Sequence, residues 1–289
     1  MTPIHIQDFA DPRIDGFRDV RDKDLRRAGD TFMAESEMVL RQLLRTPEVI
    51  LAVLMTPAKL ARLAGLLGDL PAGTPVYTAD KALAEAISGY KVHRGVLAVC
   101  RRPAAADLTL DRALGRLRGT GPCTLVLAER LFDVDNVGAL FRNAAAFGVD
   151  GVVLDRHCCD PLYRKAIRTS IGHVLSLPYA ISDDWLADLD RLKAEWGVML
   201  VAAELAAGAV PVWDVPRADR LAFVFGSEDT GVLPETLARC DAVCQIPMAR
   251  PASLNIAVAS AVCLYERRRG GAPAPAAGLD QAAAGRRQA

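Results

Sequence analysis

The chain has 289 residues, enough for two ordinary domains, and 51% of them are hydrophobic, which is ample to fill the cores. Its 35 basic and 35 acidic residues cancel, so no bulk charge draws it to a polyanion, and any contact with nucleic acid must rest on local patches. No apolar run approaches a membrane span, the N-terminal residues are acidic where a signal peptide would be basic, and the seven cysteines form no CxxC pair, so the expectation is a cytoplasmic protein with reduced thiols and no metal site.

Near the N-terminus Arg18, Arg21, Lys23, Arg26 and Arg27 form a basic patch interleaved with Asp19, Asp22 and Asp24. From Thr31 to about Cys100, short β-prone runs (Val49 to Leu54, Val76 to Tyr77, Gly95 to Cys100) alternate with helical stretches. These open on caps, Thr56 before Pro57 and either Thr78 or Asp80 before KALAEAI, and together they predict a small α/β unit. The segment RRPAAADL, 101 to 108, has linker composition, and a helix from Asp111 to Arg118 follows. A second series then begins. Its buried runs (Thr124 to Ala128, Val152 to Leu154, Val198 to Ala202, Leu221 to Phe225, Val243 to Ile246) lack strict alternation, as parallel strands covered on both faces do. Arg156, Arg164, Lys165 and Arg168 make a second basic cluster with fewer acids among them. The residues beyond Arg269 have no core-forming pattern and are expected to be disordered. The predicted organisation is thus a first domain over 1–105, a second over 106–269 and a tail over 270–289.

The most informative stretch is 246 to 266, IPMARPASLNIAVASAVCLYE, where a strand end runs through a Pro-containing loop into an almost wholly apolar helix. Ser253 stands where an N-cap would, Asn255 falls in the first turn, and the absence of charge predicts a helix buried all round. Upstream, LFDVDNVGALFRNAAAFGV carries Asn136, Gly138 and Arg142 as N-x-G-x-x-x-R, and FVFGSEDTGV is a strand ending in a Gly turn that presents Glu228. Between them lies RTSIGHVLSLPY, 168 to 179. Taken singly these have plain readings: Arg142 a surface charge, Gly226 a turn glycine, Ile246 and Leu254 core residues, Asn136 a cap. In this order and spacing they resemble the three motifs and the connecting piece of the SpoU (TrmH) RNA methyltransferases of the SPOUT superfamily.

That resemblance implies a C-terminal α/β trefoil-knot domain with a mostly parallel sheet, preceded by a smaller L30e-like α/β domain that binds the RNA substrate. It implies S-adenosylmethionine as cofactor, no metal, transfer of a methyl group to a ribose 2′-hydroxyl of ribosomal or transfer RNA, and a homodimer paired through the motif helices. By matching positions, the cofactor would be gripped at Gly226, Ile246, Met248, Ser253 and Leu254. The catalytic set would be Arg142 with Asn136, Glu228, Ser253 and Asn255, Glu228 orienting Arg142 or accepting from a backbone N–H. RNA contacts would fall on Arg26, Arg27, Arg164, Lys165 and Arg168. A guanidinium stays protonated in proteins, so Arg142 is expected to orient the hydroxyl and a neighbouring phosphate rather than to act as a literal base. No GxGxxG follows any predicted strand, which counts against a Rossmann enzyme, and no GxSxG supports a Ser253 nucleophile.

Two departures from the family pattern stand out. Asp229 and Thr230 come between Glu228 and Gly231, where the family has Gly directly after the Glu, and the loop after IPM is one residue short, with Arg250 and Pro251 replacing its usual Gly. Proline stiffens that loop and removes a donor. The rival readings are a non-catalytic RNA-binding module that keeps the fold and a knotted enzyme that methylates a base nitrogen.

Overall fold

A computed structural model describes residues 2–18, 30–88, 95–119, 121–250 and 253–269. Arg26, Arg27, Pro251 and the tail over 270–289 lie outside the described residues. The chain divides into two compact units, Met1–Ala105 with Asp160–Ser176, and Ala106–Cys159 with Leu177–Ala289.

In the first unit the β-prone runs become strands as expected, and two more join them. The strands are β1 (Ile4–His5), β2 (Thr31–Glu35), β3 (Ile50–Met55), β4 (Val76–Thr78) and β5 (Val96–Arg101), in the order β1-β4-β3-β5-β2. β1, β4 and β3 run parallel, while β5 is antiparallel to both β3 and β2. Helices α1 (Glu37–Leu43), α2 (Pro57–Leu63) and α3 (Lys81–Ser88) fill the connections. Of the two candidate caps for α3, Asp80 serves: its carboxylate accepts the Leu83 N–H at 2.7 Å, satisfying one of the orphan donors of the first turn. Ile6, Ile14, Phe17, Met33, Leu54, Tyr77 and Leu97 form the core of this unit.

In the second unit the order along the chain is α4 (Leu110–Leu114), β6 (Cys123–Ala128), α5 (Val134–Ala146) and β7 (Gly151–Asp155). Residues 160–176, which carry α6 (Arg164–Thr169), then belong to the first unit, where the Arg164 guanidinium meets the buried Glu35 carboxylate at 3.3 Å. The second unit resumes with β8 (Tyr179–Ser182), α7 (Trp185–Ala194), β9 (Met199–Ala203), β10 (Val210–Pro211), β11 (Arg220–Phe225), α8 (Pro234–Leu237), β12 (Ala242–Gln245) and α9 (Ile256–Arg269). Its sheet is parallel throughout, in the order β10-β12-β9-β11-β6-β7-β8. The unbroken apolar runs are central strands covered on both faces, with Leu125, Leu127, Val153, Leu200 and Val224 packed among Leu189, Leu192 and Trp196.

This strand order positions the site. β12, β9 and β11 are neighbours and parallel, so the loops leaving their C-terminal ends emerge together at one end of the sheet, as crevices in open α/β sheets do. β6 lies next to β11, so the turn leading into α5 emerges at the same end.

Two expectations about α9 need correction. Its cap is Asn255, not Ser253: the Asn255 side-chain oxygen accepts the Ala257 N–H at 2.8 Å, and its carbonyl accepts from Val258 and Ala259. Nor is the helix buried all round. Ser260, Cys263 and Leu264 are buried, but Val258 is 49% and Tyr265 54% exposed, because one chain covers only part of the helix surface. The covered part meets α5, where the Asn143 side-chain amide donates to the Ala257 carbonyl at 2.6 Å and to Ser260 Oγ at 3.0 Å.

Candidate functional site

The loops at the ends of β9, β11 and β12 enclose a cavity of about 570 Å³, within the range of small-molecule sites. Gly226, Ile246, Met248, Ser253 and Leu254 all line it, so the five positions matched to cofactor contacts share one space. The β11 loop closes back on itself. Ser227 pairs with Gly231, its carbonyl accepts the Gly231 N–H at 2.9 Å, and its hydroxyl accepts the Thr230 N–H at 3.1 Å. A Cβ at Gly226 would overlap the Gly231 carbonyl and Val232 N, so only glycine lets the two ends of the loop approach. The left-handed residue here is Gly231, with φ of 65°. Asp229 and Thr230 are not in that region, so the departure after Glu228 places two residues before the glycine without forcing either of them into strain.

Beside this cavity the three motifs meet. The Asn136 side-chain amide donates to Glu228 Oε1 at 2.8 Å, and the Asn255 amide donates both to the same oxygen at 2.6 Å and to Asn136 Oδ1 at 3.0 Å. One carboxylate oxygen therefore gathers two amides, and the α5 start, the β11 loop and the α9 cap are held as a triangle. Charge-assisted bonds of this kind are the stronger ones. Glu228 was expected to orient Arg142 or to accept from a backbone N–H; instead its described bonds go to the two amides. Arg142 is exposed on α5 and makes no hydrogen bond or ion pair with a described residue. Ser253 lines the cavity without serving as cap.

Sequence reasoning missed several residues that build this end of the sheet. Glu204 directly follows β9, and its carboxylate accepts from Val232 N at 2.8 Å and Leu205 N at 2.9 Å, latching the β11 loop to the end of β9. Glu129, buried after β6, accepts from Leu233 N at 2.9 Å and from the Thr236 hydroxyl at 2.7 Å. An acid closing an apolar run, as in LAE and VAAE, was the available signal. Cys244 and Cys263 face each other on the cavity wall, and their mutual hydrogen bond, with burial, pushes the Cys263 thiol well up.

Of the residues expected to meet RNA, Arg164 is committed to Glu35 and Lys165 is half-buried, while Arg168 is exposed.

Fold and site thus define a parallel α/β protein with a ligand-sized cavity and a polar cluster where three sheet-end loops converge. The SpoU rRNA Methylase family matches residues 123–265. An uncharacterized tRNA/rRNA methyltransferase of Mycobacterium tuberculosis is 36% identical over 282 residues, 93% of each chain. The 23S rRNA (guanosine-2'-O-)-methyltransferase RlmB of Acinetobacter baylyi is 30% identical over 201 residues, 69% of this chain and 80% of that one. Among solved structures, the AdoMet-bound rRNA methyltransferase from Sinorhizobium meliloti superposes with a TM-score of 0.76 at 24% identity, over 92% of this chain and 97% of that one. The chain belongs to the SpoU rRNA Methylase family, and its fold is the knot-type α/β fold of those methyltransferases.

Proposed function

We propose that the protein uses S-adenosylmethionine to methylate a ribose 2′-hydroxyl in ribosomal or transfer RNA, as a cytoplasmic homodimer. The observation that carries this reading is the Asn136–Glu228–Asn255 triangle at the wall of a cavity whose size suits the cofactor. Relatives named as 23S rRNA guanosine-2'-O-methyltransferases, RlmB and RlmP, support the ribose over the base as the methyl acceptor.

The cofactor fits the residues present. Glycines at 226 and 231 bring backbone close to the cavity, Ile246, Met248 and Leu254 offer apolar surface, and Glu204, Gln245 and Ser253 add polar groups. When bound, S-adenosylmethionine supplies a methyl group already activated on a sulfonium. The protein's task is then to exclude water, align the hydroxyl and manage its proton. The triangle fixes the loop geometry, while Arg142, without a partner among the described residues, is available to bind the phosphate beside the target ribose and orient its hydroxyl. The proton leaves to phosphate or water, since the guanidinium carries no vacancy for it. Arg168, exposed on α6, would add a phosphate contact, with Arg26, Arg27, Arg164 and Lys165 as the other proposed RNA residues. The apolar side chains exposed on and beside α9, Leu254, Val258 and Tyr265, support a second copy as their cover. No helix among the described residues is long and apolar enough to cross a membrane.

Two measurements test the reading. Ribose-methylation maps of total RNA from cells with and without the gene should differ at one or a few sites, and calorimetry should show S-adenosylmethionine binding. Identical maps would remove the catalytic reading, and absent binding would favour an RNA-binding module that has kept the fold.

A further inference from the structure

A second cavity of about 410 Å³ adjoins the first, lined by Leu131, Phe132, Asp133 and Asn136 on one side and by Glu228 and Asp229 on the other. Ser227, Glu228 and Asp229 line both spaces. A nucleotide whose ribose sits at that shared wall therefore has its base in the smaller space.

Phe132 is built outward. Glu129 is held inward by Leu233 and Thr236. Leu131, also buried, is pinned from both sides: its N–H donates to Cys158 Sγ at 3.3 Å and its carbonyl accepts the Cys159 N–H at 2.7 Å. Arg130, between these two fixed residues, is driven to φ of 55°, a left-handed conformation that a long side chain adopts only when its neighbours over-determine it. The result is that Phe132 stands 58% exposed at the cavity, with the Arg130 guanidinium carbon 5.8 Å from its ring centroid. An exposed ring with a guanidinium beside it is a platform on which a base can stack.

The ionisable side chains of this lining, Asp133, Glu228 and Asp229, are all acceptors. Asn136 has one amide N–H committed to Glu228 and its carbonyl to Asn255, and the Ser227 hydroxyl is paired with Thr230 at 2.8 Å. Asp229 has no side-chain partner among the described residues, and Glu228 has its Oε2 without one. Ionised carboxylates only accept hydrogen bonds. Among the four bases, guanine alone presents two adjacent donors, N1–H and N2–H, on its Watson–Crick edge. Uracil's single N–H is flanked by carbonyls, and adenine and cytosine would turn a bare ring nitrogen toward the carboxylate.

We propose that this smaller cavity takes the base of the target nucleotide and selects guanine, Phe132 stacking on it and Asp229 accepting from N1–H and N2–H. The proposal rests on the reading of the larger cavity as the cofactor site, and the test separates the two. With the larger cavity saturated by S-adenosylhomocysteine, saturation-transfer NMR compares guanosine, adenosine, cytidine and uridine at equal concentration. Guanosine should bind best. Phe132→Ala should weaken all four nucleosides, by about tenfold where stacking dominates, while Asp229→Asn should weaken guanosine by about tenfold or more and erase its lead over adenosine. Both residues are exposed, and circular dichroism of each variant confirms its fold. Another nucleoside binding as well as guanosine, or either variant keeping wild-type guanosine affinity, overturns the proposal. Failure of S-adenosylhomocysteine to bind counts against the cofactor reading alone, and the nucleoside ranking on the bare protein still decides the base site.

Discussion

Replacing Glu228 with alanine removes the single oxygen that collects the Asn136 and Asn255 amides at 2.8 and 2.6 Å. Hydrogen bonds to a charged partner contribute about 1.5–3 kcal/mol each, but Glu228 is exposed and water replaces much of what is lost. A discounted total of about 1–2 kcal/mol is therefore expected, a fall in Tm of roughly 2–8 °C for a domain of this size. Glu228→Gln keeps a carbonyl oxygen in place and loses only the charge assistance, so it should fall between wild type and alanine, with a loss of about half as much. Asp229→Asn serves as the control for the stabilities alone, because it measures how much of any change in Tm is relief of repulsion between the two neighbouring acids. Thermal unfolding by circular dichroism gives the stabilities, and methyl transfer to in vitro transcribed ribosomal RNA gives the activities, which should decline in the same order. A glutamine variant as unstable as the alanine one, or an alanine variant as stable as wild type, would refute the claim that this oxygen ties three segments together.

Gly226→Ala should abolish S-adenosylmethionine binding in calorimetry, because the new methyl has to push the Gly231 backbone away, an overpacking cost of about 1–3 kcal/mol. Gly119→Ala, which meets nothing within 4 Å, should leave binding unchanged. Arg142→Lys should lower methyl transfer by at least about tenfold, since a point charge cannot replace a planar fork. Its Tm should stay within about 1–2 °C of wild type, as expected for an exposed side chain without partners. Burial holds the thiols of Cys123 at about 11 and of Cys158 and Cys240 at about 12, against an ordinary 9.0. The unfolded chain ionises these thiols first, so their contribution to stability is complete below pH 9 and declines as the pH rises through 11 and 12. Urea midpoints measured between pH 8 and 11 should fall, and substituting all three with alanine should flatten that slope.

Much of this architecture was legible because it is local. Five apolar runs without alternation announced the central parallel strands, and Thr56-Pro57 and Asp80 marked helix starts. The strands that went unread are those with little sequence signal: β1 and β10 are two residues long, β8 begins at Tyr179, the last residue of the segment read as a connector, and β2 abuts a helix with no turn residue between except Ser36. The α9 cap moved from Ser253 to Asn255 because either side chain can cap, and the choice is set by where the loop meets Asn136 and Glu228. The motifs named the partners of the triangle but not its wiring. That Glu228 takes two amides rather than the guanidinium depends on which loop ends the sheet brings together. For the same reason the acid closing VAAE gave no hint of its partner: the latch of Glu204 on Val232 exists only because β9 lies beside β11. Phe132 carries no signal in the sequence that sets it apart from other apolar residues before a helix. Its outward position follows from long-range pins on Glu129 and Leu131.

The triangle joins residues 92 and 119 positions apart along the chain, and its last corner sits at the head of the final helix. Closing such long loops is entropically costly and kinetically late. A chain released from synthesis before residue 255 would hold most of its sheet yet have no third corner for the site. The triangle is thereby tied to the synthesis of Asn255, so products that stop short of it can hold the sheet without forming the polar cluster.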